Sequence, residues 1–337
     1  MNGAGQDTGV EIKQREAFYC NMKLLLIFMV VYGHLLEGIM DNVEPLEQIY
    51  RVIYSVHMPL FLFLSGLFLK NRAGCVRQMR QVLLYYAVCQ TAVVTVGRLL
   101  GQQMNLGTPV WHLWYLLSLG CMAGVGWCWF TLTKRWQQLD RGAVKVTILT
   151  VSVLIALAVG KCHAVGRWFT LSRIFCFLPF FLTGVFCPEN MDWKSVRAKI
   201  VGLTGLGAWL FMYLTWGKEI PTALFYQADS YDTLGIGQGV RLRMICILLA
   251  VSLGLFLLAF VPDRRLFFSK VGADTFWIYL LHAPFVKLFE LIELPWHVRI
   301  AVTPIFAVCI ILYLYKLFQW KHQLYSLPKS YRREERI

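Results

Sequence analysis

The chain has 337 residues, of which 58% are hydrophobic and only 15% charged, and it carries a formal net charge of +14. So few charged residues cannot furnish the polar shell that a soluble protein of this length needs, which excludes an ordinary globular class. Apolar runs recur along nearly the whole chain, and most are long enough to cross a ~30 Å hydrocarbon core at ~1.5 Å per residue. The expectation is an all-α, polytopic integral membrane protein of about ten transmembrane helices.

The first seventeen residues, MNGAGQDTGVEIKQREA, read as a polar cytoplasmic tail. The membrane domain is predicted over 18–320, followed by a basic cytoplasmic tail over 321–337. Spans are predicted near 18–39, 52–69, 83–101, 111–130, 146–160, 168–187, 200–217, 242–262, 271–293 and 298–320, the fifth being short. On these boundaries the tails and the loops on their side hold 21 of the 33 Lys and Arg, whereas the opposite loops hold five: Arg51, Lys161, Arg167, Lys218 and Arg241. The excess of basic residues on the tail side predicts that both termini are cytoplasmic. An even number of spans gives the same answer. Basic residues placed this way set topology and meet anionic lipid, so a nucleic-acid role is not expected.

The first span carries Lys23 and His34 within MKLLLIFMVVYGHL. Eleven residues turn a helix by about 1100°, three turns plus roughly 20°, so the ammonium and the imidazole share one face roughly 16 Å apart. Ionisable groups inside a hydrocarbon-length segment are costly and usually line an interior cavity or pathway. Glu37 follows His34 at i+3, where it can orient the imidazole.

The second span carries YSVHMPLFLFLSGLF, in which Pro59 frees a backbone carbonyl near His57. WHLW opens the fourth span with Trp111, His112 and Trp114; an interfacial belt is the competing reading for the two tryptophans. Arg173 lies one turn into the sixth span within LSRIFCFLPFFLTG, and His282 lies mid-span in TFWIYLLHAPF. Imidazole suits general-base work near neutral pH, and a neighbouring Arg or Lys can bind phosphate or a developing oxyanion. For His57 and His282 an interhelical hydrogen bond is the alternative.

The loop 218–241, KEIPTALFYQADSYDTLGIGQGVR, is long enough to be a lid, or it is a solvated connector. Ten cysteines are scattered with no CxxC and no Cys/His cluster, so neither metal ligation nor a disulfide framework is expected.

Taken in order, MKLLLIFMVVYGHL, IYSVHMPLFLFLSGLFLK, HLWYLLSL, SRIFCFLPFFLTG and DTFWIYLLHAPF resemble the acyltransferase 3 family of integral-membrane O-acyltransferases. The nearest branch is the fucose 4-O-acetylase-like group, and the similarity covers about residues 18–290. The resemblance implies that Lys23 and His34 form the family's Arg/Lys-x10-His pair, with Arg15 as its upstream arginine. It also implies that His34 is general base or transient acyl carrier, and that Arg173 or His57 stabilises the oxyanion. Lys23 and Arg15 would bind the phosphates of acetyl-CoA, the acyl-CoA donor, with Trp114, Glu37 and His282 on the substrate side. The expected partners are membrane lipid, acyl-CoA and a carbohydrate or glycolipid acceptor, and the expected location is the bacterial cytoplasmic membrane.

One departure stands out: relatives commonly carry an acidic residue three positions before the Arg/Lys, and here that position is Cys20. Similar membrane domains are fused to serine racemases, where amino-acid transport has been proposed, so a transporter or flippase is the alternative. A degenerate acyltransferase core with an assembly or sensing role is a third reading.

Overall fold

The computed structural model describes residues 4–40, 43–292 and 295–326. The basic tail expected at the C-terminus lies outside them beyond Ser326. Among the described residues there are helices and turns but no strand. The helices are α1 (Ala4–Glu37), α2 (Glu44–Phe68), α3 (Arg72–Leu99), α4 (Trp114–Arg135), α5 (Gly142–Val159), α6 (Leu171–Phe186), α7 (Val196–Trp216), α8 (Thr222–Phe225), α9 (Gly239–Phe260), α10 (Thr275–Glu290) and α11 (Trp296–Ser326). Nine segments of the described chain are long and apolar enough to cross a membrane, so the protein is an all-α polytopic membrane protein. The expected span 271–293 is α10, of 16 residues, preceded by the 3-10 turn Ser269–Ala273.

Some boundaries move for reasons the charges explain. The fifth span begins at Gly142 because the Lys145 ammonium pairs with Asp140 at 2.8 Å, which lets the helix start in the basic segment. The second begins at Glu44, since Arg51 pairs one turn back with Glu47 at 2.6 Å and is accommodated within the helix. α1 starts at Ala4, so much of the predicted polar tail is helical.

The chain forms two compact units, Met1–Ile53 with Val261–Ile337, and Tyr54–Phe260. In the first unit α1 packs on the 269–273 turn, α10 and α11. Its fastening point is Asn21, a buried amide inside the first span. The amide nitrogen donates to the carbonyls of Pro262 and Arg264, both at 2.9 Å, and the amide oxygen accepts from Ser269 Oγ. Such a group is tolerated in an apolar segment only because each of these atoms finds a partner. The turn comes so close that a Cβ on Gly272 would sit 1.8 Å from the Cys20 carbonyl oxygen. On the other side of α10, Trp277 stacks on Phe318 and Phe289 on Phe306.

In the second unit the principal helix pairs are α7 with α9, α3 with α4, α5 with α6, and α4 with α6. The C-terminal half of α2 crosses α6 at two glycines placed reciprocally. A Cβ on Gly66 would lie 2.1 Å from the Phe181 carbonyl oxygen, and one on Gly184 would lie 2.0 Å from that of Phe63. Without a hydrophobic drive between helices in lipid, close approach through small residues is what holds such a crossing together. Two lysines close helix ends: Lys70 Nζ donates to the carbonyls of Gly184, Val185 and Cys187, and Lys194 Nζ to those of Leu258 and Ala259. Each places a cation on the negative end of a helix dipole and satisfies carbonyls that the helix leaves open.

These crossings yield a stability test. Gly184→Ala is expected to lower the thermal midpoint in detergent by an overpacking cost of about 1–3 kcal/mol or more. Gly207→Ala, at a position with nothing within 4 Å of the added carbon, should stay within about 1 kcal/mol of the parent. Equal midpoints for the two variants would refute the crossing.

Candidate functional site

Two clusters gather the residues singled out in the sequence, one in each unit. In the first unit the centre is the imidazole of His34, near the C-terminal end of α1. Its Nδ1 lies 3.3 Å from Glu37 Oε2, and the other carboxylate oxygen accepts from the Tyr50 hydroxyl at 3.1 Å. With Nδ1–H directed to the carboxylate, Nε2 is the nitrogen that carries the basic lone pair. The His34 side chain is 12% exposed, so a reactant can reach it, whereas Tyr50 is wholly buried.

His282 of α10 stacks on His34, with ring centroids 5.3 Å apart and planes 23° from parallel. It is fully buried, and its Nδ1 donates to the Tyr279 carbonyl at 2.6 Å. The structure therefore brings His34, Glu37 and His282 together and adds Tyr50, which the sequence did not suggest.

Lys23 lies on the same helix, three turns toward the N-terminus of α1, and is half-buried. The Asp274 carboxylate acts on it electrostatically. That acid, at the foot of α10, supplies negative charge near Lys23 where the sequence has Cys20 in place of the acidic residue common in relatives. Asp274 is itself held by Gln319, whose amide donates to it at 3.0 Å. Arg15 is exposed on the first turns of α1.

In the second unit His57, 3% exposed on α2, meets the ring of Tyr54 edge-on at 4.6 Å. Tyr54 in turn meets Tyr226, 5.6 Å away. The Tyr226 carbonyl accepts from Arg173 Nε at 3.0 Å, and the Arg173 guanidinium lies 4.7 Å from the centroid of the Trp114 ring. Trp114 also stacks on Phe177. Its contacts thus make it a support that fixes the direction of Arg173. His57, Arg173 and Trp114 belong to one chain of contacts whose middle members, Tyr54 and Tyr226, carried no signal in sequence.

Backbone strain concentrates around this second cluster. Trp111, Phe169, Thr170 and Gln227 all have positive φ, between 36° and 55°. Such residues cost energy and persist where the surrounding structure over-determines them, commonly at functional sites. Here they set the entries to α4 and α6 and the turn after Tyr226.

The loop 218–241 is fastened to the rest of the second unit. Arg167 makes a two-pronged ion pair with Asp229, both hydrogen bonds at 2.7 Å, which holds its guanidinium above the ordinary arginine range. His163 faces Asp232 at 3.2 Å and Ser230 at 3.1 Å. The Tyr231 amide and hydroxyl donate to the carbonyls of Gly160 and Leu157, and burial pushes that hydroxyl up to about 12. The loop is therefore a structural element that presents Tyr226 to Arg173.

A basic groove of about 840 Å³ runs along the N-terminal half of α3. It is lined by Arg72, Arg77, Arg80, Gln81 and Tyr85, with Trp127 of α4 beneath Arg72. In the sequence these arginines register only as topology-setting charge. Arg77 and Arg80 are neighbours at i, i+3, and Arg72 lies about 80° from Arg80, so the three spread over an arc of about 140° within three turns, and that clustering is the signal the sequence offers. Among the described residues no cluster of His, Cys, Asp and Glu could hold a metal ion.

A bundle of apolar helices that encloses an imidazole–carboxylate pair defines a polytopic membrane protein with ionisable groups inside its spans. The chain belongs to the acyltransferase domain family, which matches residues 18–315 and so nearly the whole membrane domain. No curated protein and no solved structure matches the chain.

The His34–Glu37–Tyr50 arrangement makes a kinetic distinction. Glu37→Gln should lower kcat on the order of tenfold or more while leaving the donor KM near its parent value. Tyr50→Phe should do the same more weakly, and Glu37→Asp should restore part of the loss. A change confined to KM would remove Glu37 from the orientation of His34.

Proposed function

We propose that this membrane acyltransferase moves an acetyl group from cytosolic acetyl-CoA to a hydroxyl of an extracytoplasmic carbohydrate or glycolipid, as in the fucose 4-O-acetylase-like branch. The observation that carries the reading is the His34 imidazole inside the first span, held by Glu37 through Nδ1 and still 12% exposed. His34 Nε2 takes the proton of the acceptor hydroxyl as its oxygen attacks the thioester carbonyl. The tetrahedral adduct then expels CoA thiolate, which recovers that proton from the imidazolium. A variant in which His34 itself carries the acetyl group between two such steps uses the same nitrogen. His282, stacked on the ring, restricts its orientation and excludes water from one face.

Donor binding falls to cations on the expected cytoplasmic side. The groove of Arg72, Arg77 and Arg80 offers guanidinium forks that suit the phosphates of a CoA nucleotide, with the Trp127 and Tyr85 rings beside them. Lys23 and Arg15 add positive charge along α1. Arg173, directed by Trp114 and Tyr226, and His57 are the second unit's candidates for oxyanion stabilisation.

Labelled acetyl-CoA supplied to the purified protein in liposomes tests this reading. Transfer or hydrolysis of label is expected with the parent. His34→Ala should reduce it by on the order of 10²–10⁴ with an unchanged thermal midpoint. Arg77→Gln and Arg80→Gln should raise the apparent acetyl-CoA constant more than they lower the maximal rate. A His34→Ala protein keeping more than half of parental turnover would show that His34 is not the base.

A further inference from the structure

Arg243 lies one turn into α9, is 1% exposed, and is the largest fully enclosed side chain among the described residues. Its Nη1 donates to the Ala156 carbonyl at 3.0 Å, and its guanidinium carbon sits 4.6 Å from the centroid of the Tyr231 ring. Nε and Nη2 are buried without a hydrogen-bond partner. Arg243 borders a cavity of about 20 Å³, whose walls also include Tyr54, Ser55, Cys176, Gln227 and Cys246. Gln227, one of the residues with positive φ, contributes another buried unpartnered atom, Oε1.

No carboxylate lines this cavity. The three acids of the overlying loop each face another side chain: Glu219 faces Arg241, Asp229 faces Arg167, and Asp232 faces His163. A guanidinium does not lose its proton in a protein, so Arg243 remains a full charge. An uncompensated charge removed from water costs several kcal/mol, and two of its donors are unused as well. A water molecule would satisfy the donors and leave the charge standing. The room is small, enough for a water or a single small ion.

We propose that this cavity binds a single halide-sized monovalent anion, which accepts hydrogen bonds from Arg243 Nε and Nη2. Rotation of the Gln227 amide turns its NH2 group toward the same anion. The bound anion fixes the Arg243–Tyr231 pair and, through Gln227, the turn that carries Tyr226. It is a structural counter-ion beneath the loop, separate from acyl-donor chemistry.

Thermal unfolding of the detergent-purified chain, followed by the fluorescence of its 12 tryptophans, tests this at constant ionic strength. Chloride or bromide titrated against gluconate should raise the midpoint saturably, by about 2–4 °C. Arg243→Met should abolish the response. Equal midpoints of the parent in halide and gluconate, as a bound water alone would give, overturn the proposal, and so does a full halide response in Arg243→Met. If that variant does not fold, bromide-soaked crystals of the parent decide. An anomalous peak between Arg243 and Gln227 supports the site, and its absence at saturating bromide overturns it.

Discussion

A polar atom inside a hydrocarbon-spanning bundle has no water to fall back on, so each one must be met by another protein atom or by a ligand. That requirement explains where the chain is fastened. Asn21 holds α1 to the segment 262–269 because its amide had to find carbonyls. Lys70 and Lys194 close the ends of α6 and α9 for the same reason. The same requirement orders the groups around His34. Glu37 is flanked by His34 and Tyr50, and His282 is anchored on the Tyr279 carbonyl. In a soluble protein, water could have served any of these atoms, and their directions would be less determined.

The His34 imidazole takes its direction from this network. One nitrogen is committed to a carboxylate, and one ring face is covered by a second histidine. In the second unit a guanidinium is directed by one carbonyl and one indole, with four residues of positive φ shaping the surrounding turns. Under the proposed function, such preorganisation would lower the reorganisation needed when charge develops during acyl transfer.

What the sequence revealed follows from which relations are local. Lys23, His34 and Glu37 sit on one helix, so the helical repeat alone sets their expected faces, and in the structure all three lie on α1 with His34 against Glu37. His282 was visible as an ionisable residue at mid-span, but its stacking on His34 depends on how α10 packs against α1. Tyr50, Tyr54 and Tyr226 were invisible because a tyrosine near a span end has several ordinary roles and only tertiary contact selects among them. Arg72, Arg77 and Arg80 were read as topology because charge counting sums residues without asking whether they line one groove. Asn21 was lost inside a strongly apolar run, where one amide barely alters the hydropathy. The early start of α5 was hidden because Lys145 marks a loop unless its pairing with Asp140 is known.

The claim on which the mechanism turns is sidedness: donor cations on the cytoplasmic face, and the His34 end of α1 toward the outside. Two exposed positions report it most directly, Gln138 in the turn between α4 and α5 and Gly237 in the loop before α9. Each is replaced by cysteine in a background lacking the ten native thiols, and a membrane-impermeant maleimide is applied to intact and to permeabilised cells. The account predicts labelling at 237 in intact cells and at 138 only after permeabilisation. Labelling of 138 in intact cells would contradict it by placing the arginine groove on the face away from acetyl-CoA.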